Sequence, residues 1–182
     1  MADKAPFVHL HCHTDYSLLD GACEISQMMD VVAEQKVPAI AMTDHGNLFG
    51  GVEFYNAAKG KGITPIIGCE VYVTQQPRSV KNATNRYNHF VLLCENQEGY
   101  RNLIELVSTG YIDGFYQKPR IDKDLLARHT KGLIALSGCL RGDVQEALLD
   151  DKYEDARRLA HEYSDMFGKG NFFLELQDHG LE

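Results

Sequence analysis

The sequence predicts an α/β protein with a parallel sheet covered by helices, and three observations support this prediction. Strand-like and helix-like segments alternate along the 182 residues, which is the pattern of βα units. The apolar segment 39–42, AIAM, has no polar alternation, as expected for a strand buried on both faces. The helical segments carry apolar residues at spacings of three and four. An open doubly wound sheet and a closed βα barrel both satisfy this alternation.

The first part of the chain begins with a predicted strand. Residues 7–12 are expected to carry histidines on one face of that strand and apolar side chains on the other. Residues 25–32 contain the apolar stripe of an amphipathic helix. The apolar segments 39–42 and 64–74 are predicted strands, and residues 51–59 between them are predicted to be helical.

Polar segments separate the predicted elements in the middle of the chain. Residues 75–88 are polar and lack periodicity, which predicts an exposed loop. Residues 89–94, HFVLLC, predict a strand, and the apolar spacing over 100–107 predicts a helix. Residues 110–122 are expected to be irregular.

The last part of the chain returns to alternating elements. A short helix is expected over 124–128, followed by a strand over 133–137. The periodicity of residues 153–167 predicts a long helix, and residues 171–177, NFFLELQ, predict the final strand. Neither GxGxxG nor GxxxxGK[ST] occurs in the sequence, so the phosphate loops of nucleotide-binding sheets are not expected.

Composition and charge exclude several classes of protein. No apolar run reaches the ~20 residues of a membrane span, and the N-terminus lacks a signal-peptide core, so we expect a cytoplasmic protein without a membrane partner. The five cysteines form no CxxC pair and are expected to be reduced. A net charge of −8 argues against a broad basic surface for nucleic acid, although bound divalent cations reverse that sign locally. The length suits one domain.

Residues 7–21, FVHLHCHTDYSLLDG, contain the densest group of candidate ligands. On a strand, His9, His11 and His13 would project from one face. Neutral imidazole is the commonest metal ligand among side chains, so this spacing favours a metal site. The alternative is a polar strand whose histidines face solvent or form hydrogen bonds. Asp20 either returns a carboxylate to this site or belongs to an ordinary Asp-Gly turn.

Further polar side chains follow predicted strands, which is where the functional residues of a βα barrel lie. Asp44 and His45 follow the second strand, although Asp44 could instead cap the next helix. Glu70 lies inside an apolar strand, where a buried carboxylate requires a partner or a cation. Cys139 follows the fifth strand and is either a thiolate ligand or a small buried residue. His89 lies at the beginning of its predicted strand, whereas functional residues of a βα barrel are expected at the C-terminal ends of strands.

The predicted final strand also carries polar residues, namely Glu175, Gln177, Asp178 and His179. Arg141 follows Cys139 closely, and its guanidinium could contact phosphate oxygens. These side chains are expected to converge on one edge of the sheet.

Five stretches of the sequence form specific motifs, namely HLHCHTDYSLLDG, AMTDHGNLFGGVEFYNAAKGKGITPIIGCEVYV, HFVLLCEN, GLIALSGCLRGD and FFLELQDHG. They resemble the successive motifs of the PHP (polymerase and histidinol phosphatase) domain. The resemblance is closer to the N-terminal PHP domains of the bacterial C-family replicative polymerases, the DNA polymerase III alpha subunits. It covers nearly the whole chain, so residues 1–182 are interpreted as a single PHP domain.

The resemblance implies a distorted (β/α)7 barrel whose strand ends hold up to three divalent metals, with zinc or manganese expected. The implied metal ligands are His11, His13, Asp20, His45, Glu70, His89 and Cys139. His9 and Asp44 are implied neighbours of the site, and we assign them the proton-transfer role in catalysis as a hypothesis. Glu175 is a further implied neighbour.

The sequence departs from the family pattern at its end. Family members continue into a further strand with an Asp-x-x-His type motif, whereas this sequence stops at Glu182. We therefore expect a domain that is incomplete at its C-terminus and lacks the last strands of the barrel.

The implied activity is metal-assisted phosphoester hydrolysis. In a polymerase the substrate would be the 3′ end of DNA, and the activity would be 3′–5′ proofreading. The remainder of the polymerase subunit and other replisome proteins are the implied partners. Two alternatives stay open, which are a structural metal-binding module of the polymerase and a stand-alone phosphatase similar to the histidinol-phosphate enzyme.

Overall fold

The computed structural model describes residues 7–178 and residue 180. Over these residues helices and strands mostly alternate, as the sequence predicts, although two strands follow one another before the third helix and the last two helices follow one another. The helices are α1 (Ile25–Glu34), α2 (Gly51–Gly60), α3 (Gln97–Ile112), α4 (Lys123–Ala127), α5 (Asp143–Leu149) and α6 (Tyr153–Phe167). The strands are β1 (Ala39–Met42), β2 (Thr64–Thr74), β3 (Tyr87–Cys94), β4 (Arg120–Asp122), β5 (Leu133–Leu136) and β6 (Phe172–Phe173). His179 lies outside the described residues.

The sheet is open and mixed. Its strand order is β1-β2-β3-β5-β6, with β4 paired to β2. The β1–β2, β2–β4 and β5–β6 pairs are parallel, whereas β3 runs antiparallel to both β2 and β5. The α/β class is confirmed, and the expectation of an all-parallel sheet is wrong. The reason lies in the connection between β2 and β3, because a parallel pair needs a long crossover, usually a helix, and residues 75–86 form a loop.

The predicted strand over residues 7–12 is also wrong. This segment lies beside β1 with irregular hydrogen bonds, in which Ala41 N–H donates to the His9 carbonyl at 2.9 Å and Thr43 N–H donates to the Cys12 carbonyl at 2.8 Å. Alternating side chains do not make a strand by themselves, because a ladder needs a regular register of pairs. The segment still brings its imidazoles to the end of β1.

Several element boundaries differ from those predicted from the sequence. The sequence predicts neither β4 nor α5, and α3 extends into the segment 110–122 that is predicted to be irregular. β3 begins earlier than predicted, at Tyr87, and β6 is shorter than the predicted strand over 171–177. β4 forms because Arg120 and its neighbours pair with the end of β2, a long-range contact that local propensity does not encode.

The hydrophobic core lies mainly between the sheet and the later helices. One cluster packs α3, α4, α5 and α6 against alternate strand residues such as Phe90 and Leu92. A second cluster packs α1 and α2 against β1. The intervening residues Val91 and Leu93 face the opposite side, where they form a small cluster with Leu136. That side of β3 and β5 borders a groove between the N-terminal segment and the segment after β6.

A buried guanidinium fixes the loops at one end of the sheet. Arg120 is fully buried and donates to the carbonyl oxygens of Gly114, Asn85 and Val80 at 3.1, 3.2 and 3.3 Å. A buried cation is costly unless its donors are satisfied, and these carbonyl groups satisfy them. The bonds hold the loop before β3 and the loop before β4 against the sheet.

Two further findings concern the described part of the chain. None of the helices over residues 7–178 is both long and apolar enough to cross a membrane. All five cysteines are free thiols.

Candidate metal centre

A buried carboxylate, Glu70, forms the centre of the site. It is 1% exposed, and its Oε1 lies 2.7 Å from Nδ1 of His45 and 2.7 Å from Nδ1 of His89. Its Oε2 lies 2.9 Å from Nε2 of His11 and 3.9 Å from Nε2 of His13. The structure therefore gathers all four predicted histidine ligands around Glu70, one of the two predicted carboxylate ligands. We call these five residues the Glu70 cluster.

Strong hydrogen bonds set the charge state of this cluster. Burial alone raises the pKa of Glu70, but hydrogen bonds from His11, His45 and His89 hold that pKa well below its usual range. Burial lowers the pKa of His11, and its bonds to Glu175 and Glu70 outweigh this effect and raise the pKa to about 9. Glu70 is thus a carboxylate at neutral pH, and His11 binds it as a cation.

Cys139 and Asp20 lie at the edges of the cluster. Sγ of Cys139 is 3.7 Å from Nδ1 of His89. Burial raises the pKa of this thiol, but its hydrogen bonds to His89 and to the backbone N–H of Arg141 bring the pKa below the ordinary value, which favours the thiolate. Oδ2 of Asp20 is 3.3 Å from Nε2 of His45, and the Asp20 side chain is 65% exposed. The remaining predicted ligands therefore border the other five.

The donor atoms fit divalent cations. Among the described residues, two sets of three side chains place their ligand atoms within 4.8 Å of one another. One set is His11, His13 and Glu70, and the other is His45, His89 and Glu70. Nδ1 of His13 is buried and has no hydrogen-bond partner in the described part of the chain. Burial and the neighbouring His45 lower the pKa of His13, so this ring is neutral, which is the form that binds metals. Nitrogen and oxygen ligands of this kind suit zinc and manganese.

The mixed sheet explains how His89 reaches the site. β3 runs antiparallel to β2, so its beginning lies beside the end of β2, with Tyr72 opposite His89. His45 follows the end of β1 and forms an isolated parallel bridge with Glu70. Gly46 then turns the chain with a φ of 65°, and a Cβ there would meet the Tyr72 ring at 2.7 Å. His89 at the start of β3 and His45 after the end of β1 therefore lie at the same edge of the sheet.

Glu175 holds the outer side of the His11 ring. Its Oε1 lies 2.7 Å from Nδ1 of His11, and Nε2 of Gln177 donates to the same oxygen at 2.7 Å. Oε2 of Glu175 is buried without a hydrogen-bond partner among residues 7–178 and 180. A carboxylate on the outer nitrogen of a histidine orients the ring and raises its basicity towards a metal. Glu175, which the sequence implies only as a neighbour of the site, thus has a specific contact with the His11 ring.

His9 and Asp44 are the two residues that the sequence assigns to proton transfer. Within the described residues, their side-chain contacts do not involve the histidines of the Glu70 cluster. Asp44 is fully buried, and its Oδ1 accepts from Thr14 N–H at 2.6 Å and from the Ser17 hydroxyl at 2.8 Å. Its Oδ2 accepts from the Thr14 hydroxyl at 2.7 Å. His9 is exposed, packs edge-on against the Phe7 ring at 4.9 Å, and lines the groove on the other side of the N-terminal segment. The contacts of Asp44 fasten a turn to the end of β1.

The cluster opens into a cavity of about 330 Å³. Asp20, His45 and His89 line this cavity, and so do Lys118 and Arg141. Its volume lies at the lower end of the range for small-ligand sites. Cationic side chains beside a candidate metal centre suit a phosphate group.

Sequence reasoning missed Lys118 and the neutral side chains that support the site. Lys118 lies in the segment predicted to be irregular, with its Nζ 5.4 Å from the centre of the Tyr72 ring. The available signal was the two basic residues that follow two aromatic residues in the segment 115–120, FYQKPR. Thr14 and Ser17 carry no comparable signal, because their shared partner Asp44 lies 30 and 27 residues away in the sequence.

Comparisons with known proteins agree with the geometry. A family model described as "PHP domain" matches residues 9–179. The DNA polymerase III subunit alpha of Treponema pallidum is 45% identical over 182 residues, which cover 98% of this chain and 16% of that protein. The corresponding subunit of Thermus aquaticus is 46% identical over 187 residues, which cover 100% of this chain and 15% of that protein. The chain spans about a sixth of the length of these curated relatives.

Similarity to solved structures is weaker. An amidohydrolase from Chromobacterium violaceum aligns with 56% of this chain and 32% of its own chain, with 25% sequence identity and a TM-score of 0.41.

Proposed function

This chain belongs to the PHP domain family, and from that premise we propose that it binds divalent cations at the Glu70 cluster and hydrolyses phosphoesters there. The observation that carries the proposal is the sharing of one buried carboxylate by four histidine rings. A carboxylate is costly to bury unless positive charge balances it. Because Glu70 belongs to both ligand sets, cations bound at the two sets would supply that charge.

The ligand roles follow from the two sets of donor atoms. The proposed ligands of one cation are His11, His13 and Glu70, and those of another are His45, His89 and Glu70. Asp20 and Cys139 add ligands at the two edges, and up to three ions of zinc or manganese are proposed. Bound cations would stabilise the charge of the phosphate as Lewis acids and would lower the pKa of water enough to make it a strong nucleophile at neutral pH.

Other side chains of the chain hold the substrate and the ligands in place. Lys118 and Arg141 lie on the cavity wall, where they neutralise phosphate oxygens. Glu175 keeps the His11 ring in one orientation. The proton-transfer role gains no support from the contacts of His9 and Asp44, and we assign Asp44 to positioning the turn that borders the ligands.

We propose the 3′ end of DNA as the substrate and 3′–5′ proofreading as the activity. Support comes from the relatives, which are DNA polymerase III alpha subunits, because a hydrolytic site in such a subunit works close to newly made 3′ ends. The remainder of a polymerase subunit and other replisome proteins are the proposed partners. The proposed location is the bacterial cytoplasm.

We further propose that residues 1–182 form one PHP domain and that the sheet belongs to a distorted (β/α)7 barrel. Support comes from the groove beside β3 and β5, which has a volume of about 910 Å³. The apolar side chains of Ile66, Leu93 and Leu136 line it, and Leu176 at its edge is 96% exposed. Further strands of a family barrel would cover these side chains.

A structural role for the same metal centre is the second candidate. The predicted ligands come from separate segments, namely the N-terminal segment, the end of β1, the strands β2 and β3, and the loop after β5. A cation bound to all of them cross-links these segments, as structural metal sites do. A small-molecule phosphatase is the third candidate, because a cavity of about 330 Å³ has a volume in the range of small-ligand sites, as a monoester such as histidinol phosphate requires.

The proposal is tested by measuring bound metal and manganese-dependent removal of a mismatched 3′ nucleotide. The measurement uses this chain and a form extended towards the length of its polymerase relatives. We expect His11→Ala and His45→Ala to lower metal affinity and hydrolysis by more than about 100-fold, since each removes a direct ligand. The matched control is His161→Ala, because His161 is exposed on α6.

Each outcome separates the candidates. Hydrolysis of DNA that both cluster variants lose supports the proofreading activity. Metal binding without hydrolysis supports the structural role, and phosphate release from histidinol phosphate without action on DNA supports the phosphatase. Metal binding and hydrolysis that persist in both cluster variants would rule out the Glu70 cluster as the site.

A further inference from the structure

Three aromatic side chains form an exposed surface beside the Glu70 cluster, and we call this surface the aromatic shelf. Its members are Phe49, Tyr111 and Phe115, which are 63%, 38% and 47% exposed. The ring centres of Phe49 and Tyr111 are 6.1 Å apart, and the stacked rings of Tyr111 and Phe115 are also 6.1 Å apart. The rings support one another and leave aromatic surface open to solvent.

The aromatic shelf and the cluster share one cavity. All three rings line the 330 Å³ cavity whose wall includes His45 and His89. Adjacent exposed apolar side chains at the mouth of a polar cavity are typical of a ligand site. The shelf is therefore placed to contact whatever reaches the cluster.

Buried polar groups hold Phe49 in position. Asn47, which is 4% exposed, accepts a hydrogen bond from Phe49 N–H at 3.0 Å through its Oδ1. Its Nδ2 donates to the carbonyl of His45 at 3.1 Å and to the carbonyl of Tyr16 at 3.2 Å. One buried amide thus couples the shelf residue to a cluster histidine.

The other two rings are fixed by a different buried group. Tyr111 lies in the last turn of α3, and Phe115 lies in the loop that follows. Buried Arg120 holds this loop by donating to the Gly114 carbonyl at 3.1 Å. A surface that is fixed before binding loses little conformational entropy when a ligand arrives.

The charged groups in the cavity indicate what kind of ligand fits. Lys118 and Arg141 line the same cavity as the shelf, and such cations contact phosphate oxygens. Aromatic rings next to phosphate-binding cations are the arrangement that binds single-stranded nucleic acid, because every base has a π face. An apolar protein segment would match the rings but leave the cations and histidines unused.

We propose that the aromatic shelf stacks the base of the terminal nucleotide of a single-stranded nucleic acid whose phosphate lies at the Glu70 cluster. This inference rests on the proposed hydrolysis at that cluster and adds a subsite for the base. Stacking alone tolerates all four bases. It selects unpaired ends, because a paired base must first leave the duplex stack before it can lie on the shelf.

A fluorescence experiment tests base stacking without requiring hydrolysis. The chain has no tryptophan, so Phe49→Trp introduces a single indole into the shelf while keeping an aromatic face. We expect a short single strand of DNA, without added metal and at low salt, to quench this indole, and the same strand with an abasic 3′ end to quench it far less. The matched control is Tyr153→Trp, because Tyr153 is 67% exposed at the start of α6 and does not line the cavity.

A kinetic experiment tests the same subsite during turnover. We expect Phe49→Ala and Tyr111→Ala each to reduce the preference for a base-bearing 3′ end over an abasic 3′ end by about tenfold in kcat/KM. Ile112→Ala is the control, because Ile112 is an exposed apolar neighbour outside the cavity. Phe49→Leu separates aromatic stacking from apolar contact, since leucine keeps bulk but has no π face.

The outcomes keep this inference separate from the proposed function. Base-dependent quenching without any hydrolysis supports the shelf and removes the proposed activity. Hydrolysis at equal rates on both ends, with equal quenching by both strands, overturns the shelf and leaves the activity in place. The inference is also overturned if Phe49→Ala leaves the base preference unchanged and lowers stability only in a form of the chain extended towards the length of its relatives. That result would assign the shelf to contact with another part of the protein.

Discussion

Glu70 and Asp44 are both buried carboxylates near the same edge of the sheet, and their partners differ. Glu70 is surrounded by four histidine rings. Asp44 is surrounded by the backbone N–H of Thr14 and the hydroxyl groups of Thr14 and Ser17. Their exposures are 1% and 0%, so burial does not distinguish them.

The difference lies in what each set of partners can release. An imidazole can give up a proton and offer its nitrogen to a cation, so the environment of Glu70 can exchange protons for metal. Hydroxyl and amide groups donate to Asp44 and do not titrate near neutral pH. Two carboxylates of equal burial therefore belong to a candidate reactive site and to its scaffold, respectively.

The largest effect is expected from Glu70→Gln. A neutral amide cannot balance two cations, so the affinity for zinc and manganese should fall by more than about 1,000-fold, beyond the 10- to 100-fold cost of losing an outer-shell partner. Titration calorimetry measures the affinity and the stoichiometry. Glu95→Gln is the control, because Glu95 is exposed at the end of β3. If Glu70→Gln bound the same number of metal ions with the same affinity as the unmodified chain, Glu70 would not be a metal ligand.

Asp44→Ala should act on stability instead. The Thr14 N–H and the Ser17 hydroxyl would remain buried without an acceptor, so the free energy of unfolding should fall by about 2–3 kcal/mol. Urea unfolding with bound metal removed measures this change. In the folded fraction, the number of metal ions bound should stay the same as in the unmodified chain.

The control for Asp44→Ala is Asp30→Ala, which removes an exposed carboxylate paired with Lys61 and should cost less than about 1 kcal/mol. Equal losses in the two variants would contradict a scaffold role for Asp44.

The third prediction separates the two carboxylates by pH. Burial lowers the pKa of His89, and its bonds to Cys139 and Glu70 outweigh this and raise that pKa to about 9, the value also reached by His11. Both pKa values are raised above the unfolded value of about 6.5. Their contribution to stability is therefore fully present below pH 6.5 and is lost as the pH rises towards 9.

For the metal-free chain we expect the free energy of unfolding to fall steadily between pH 6.5 and 9, because the stability that each raised pKa contributes disappears over this range. Urea unfolding across this range measures the fall, and Glu70→Gln should flatten it because the imidazoles lose their anion. Asp44→Ala should lower the whole curve without changing its slope in that range. A slope that is identical in the unmodified chain and in Glu70→Gln would contradict the charge states inferred for the cluster.

Local sequence patterns predicted the elements whose burial repeats with a helical or strand period. The stripe of α1 is an example, because Ile25, Met28, Met29 and Val32 are all buried as their spacing predicts. The same reasoning failed for residues 7–12, where polar and apolar residues alternate without a strand. The difference is that a helix closes its hydrogen bonds within its own segment, whereas a strand needs a partner in register.

The candidate site was predictable in its residue types and not in its arrangement. The conflict over His89 shows this, because a residue that begins a strand was expected to lie at the wrong edge. The conflict disappears because β3 is antiparallel to β2. Nothing local in HFVLLC encodes the direction in which that segment pairs with β2.

By itself the sequence determined which chemistry is available, namely the imidazoles, carboxylates and thiol that can bind a cation, and it determined the PHP motifs. The tertiary structure decided that these groups share Glu70, that Asp44 is held by hydroxyl groups, and that three aromatic rings open into the same cavity. The physical reason is that ligand chemistry belongs to single side chains. Convergence depends instead on strand direction and register between segments that are far apart in the sequence.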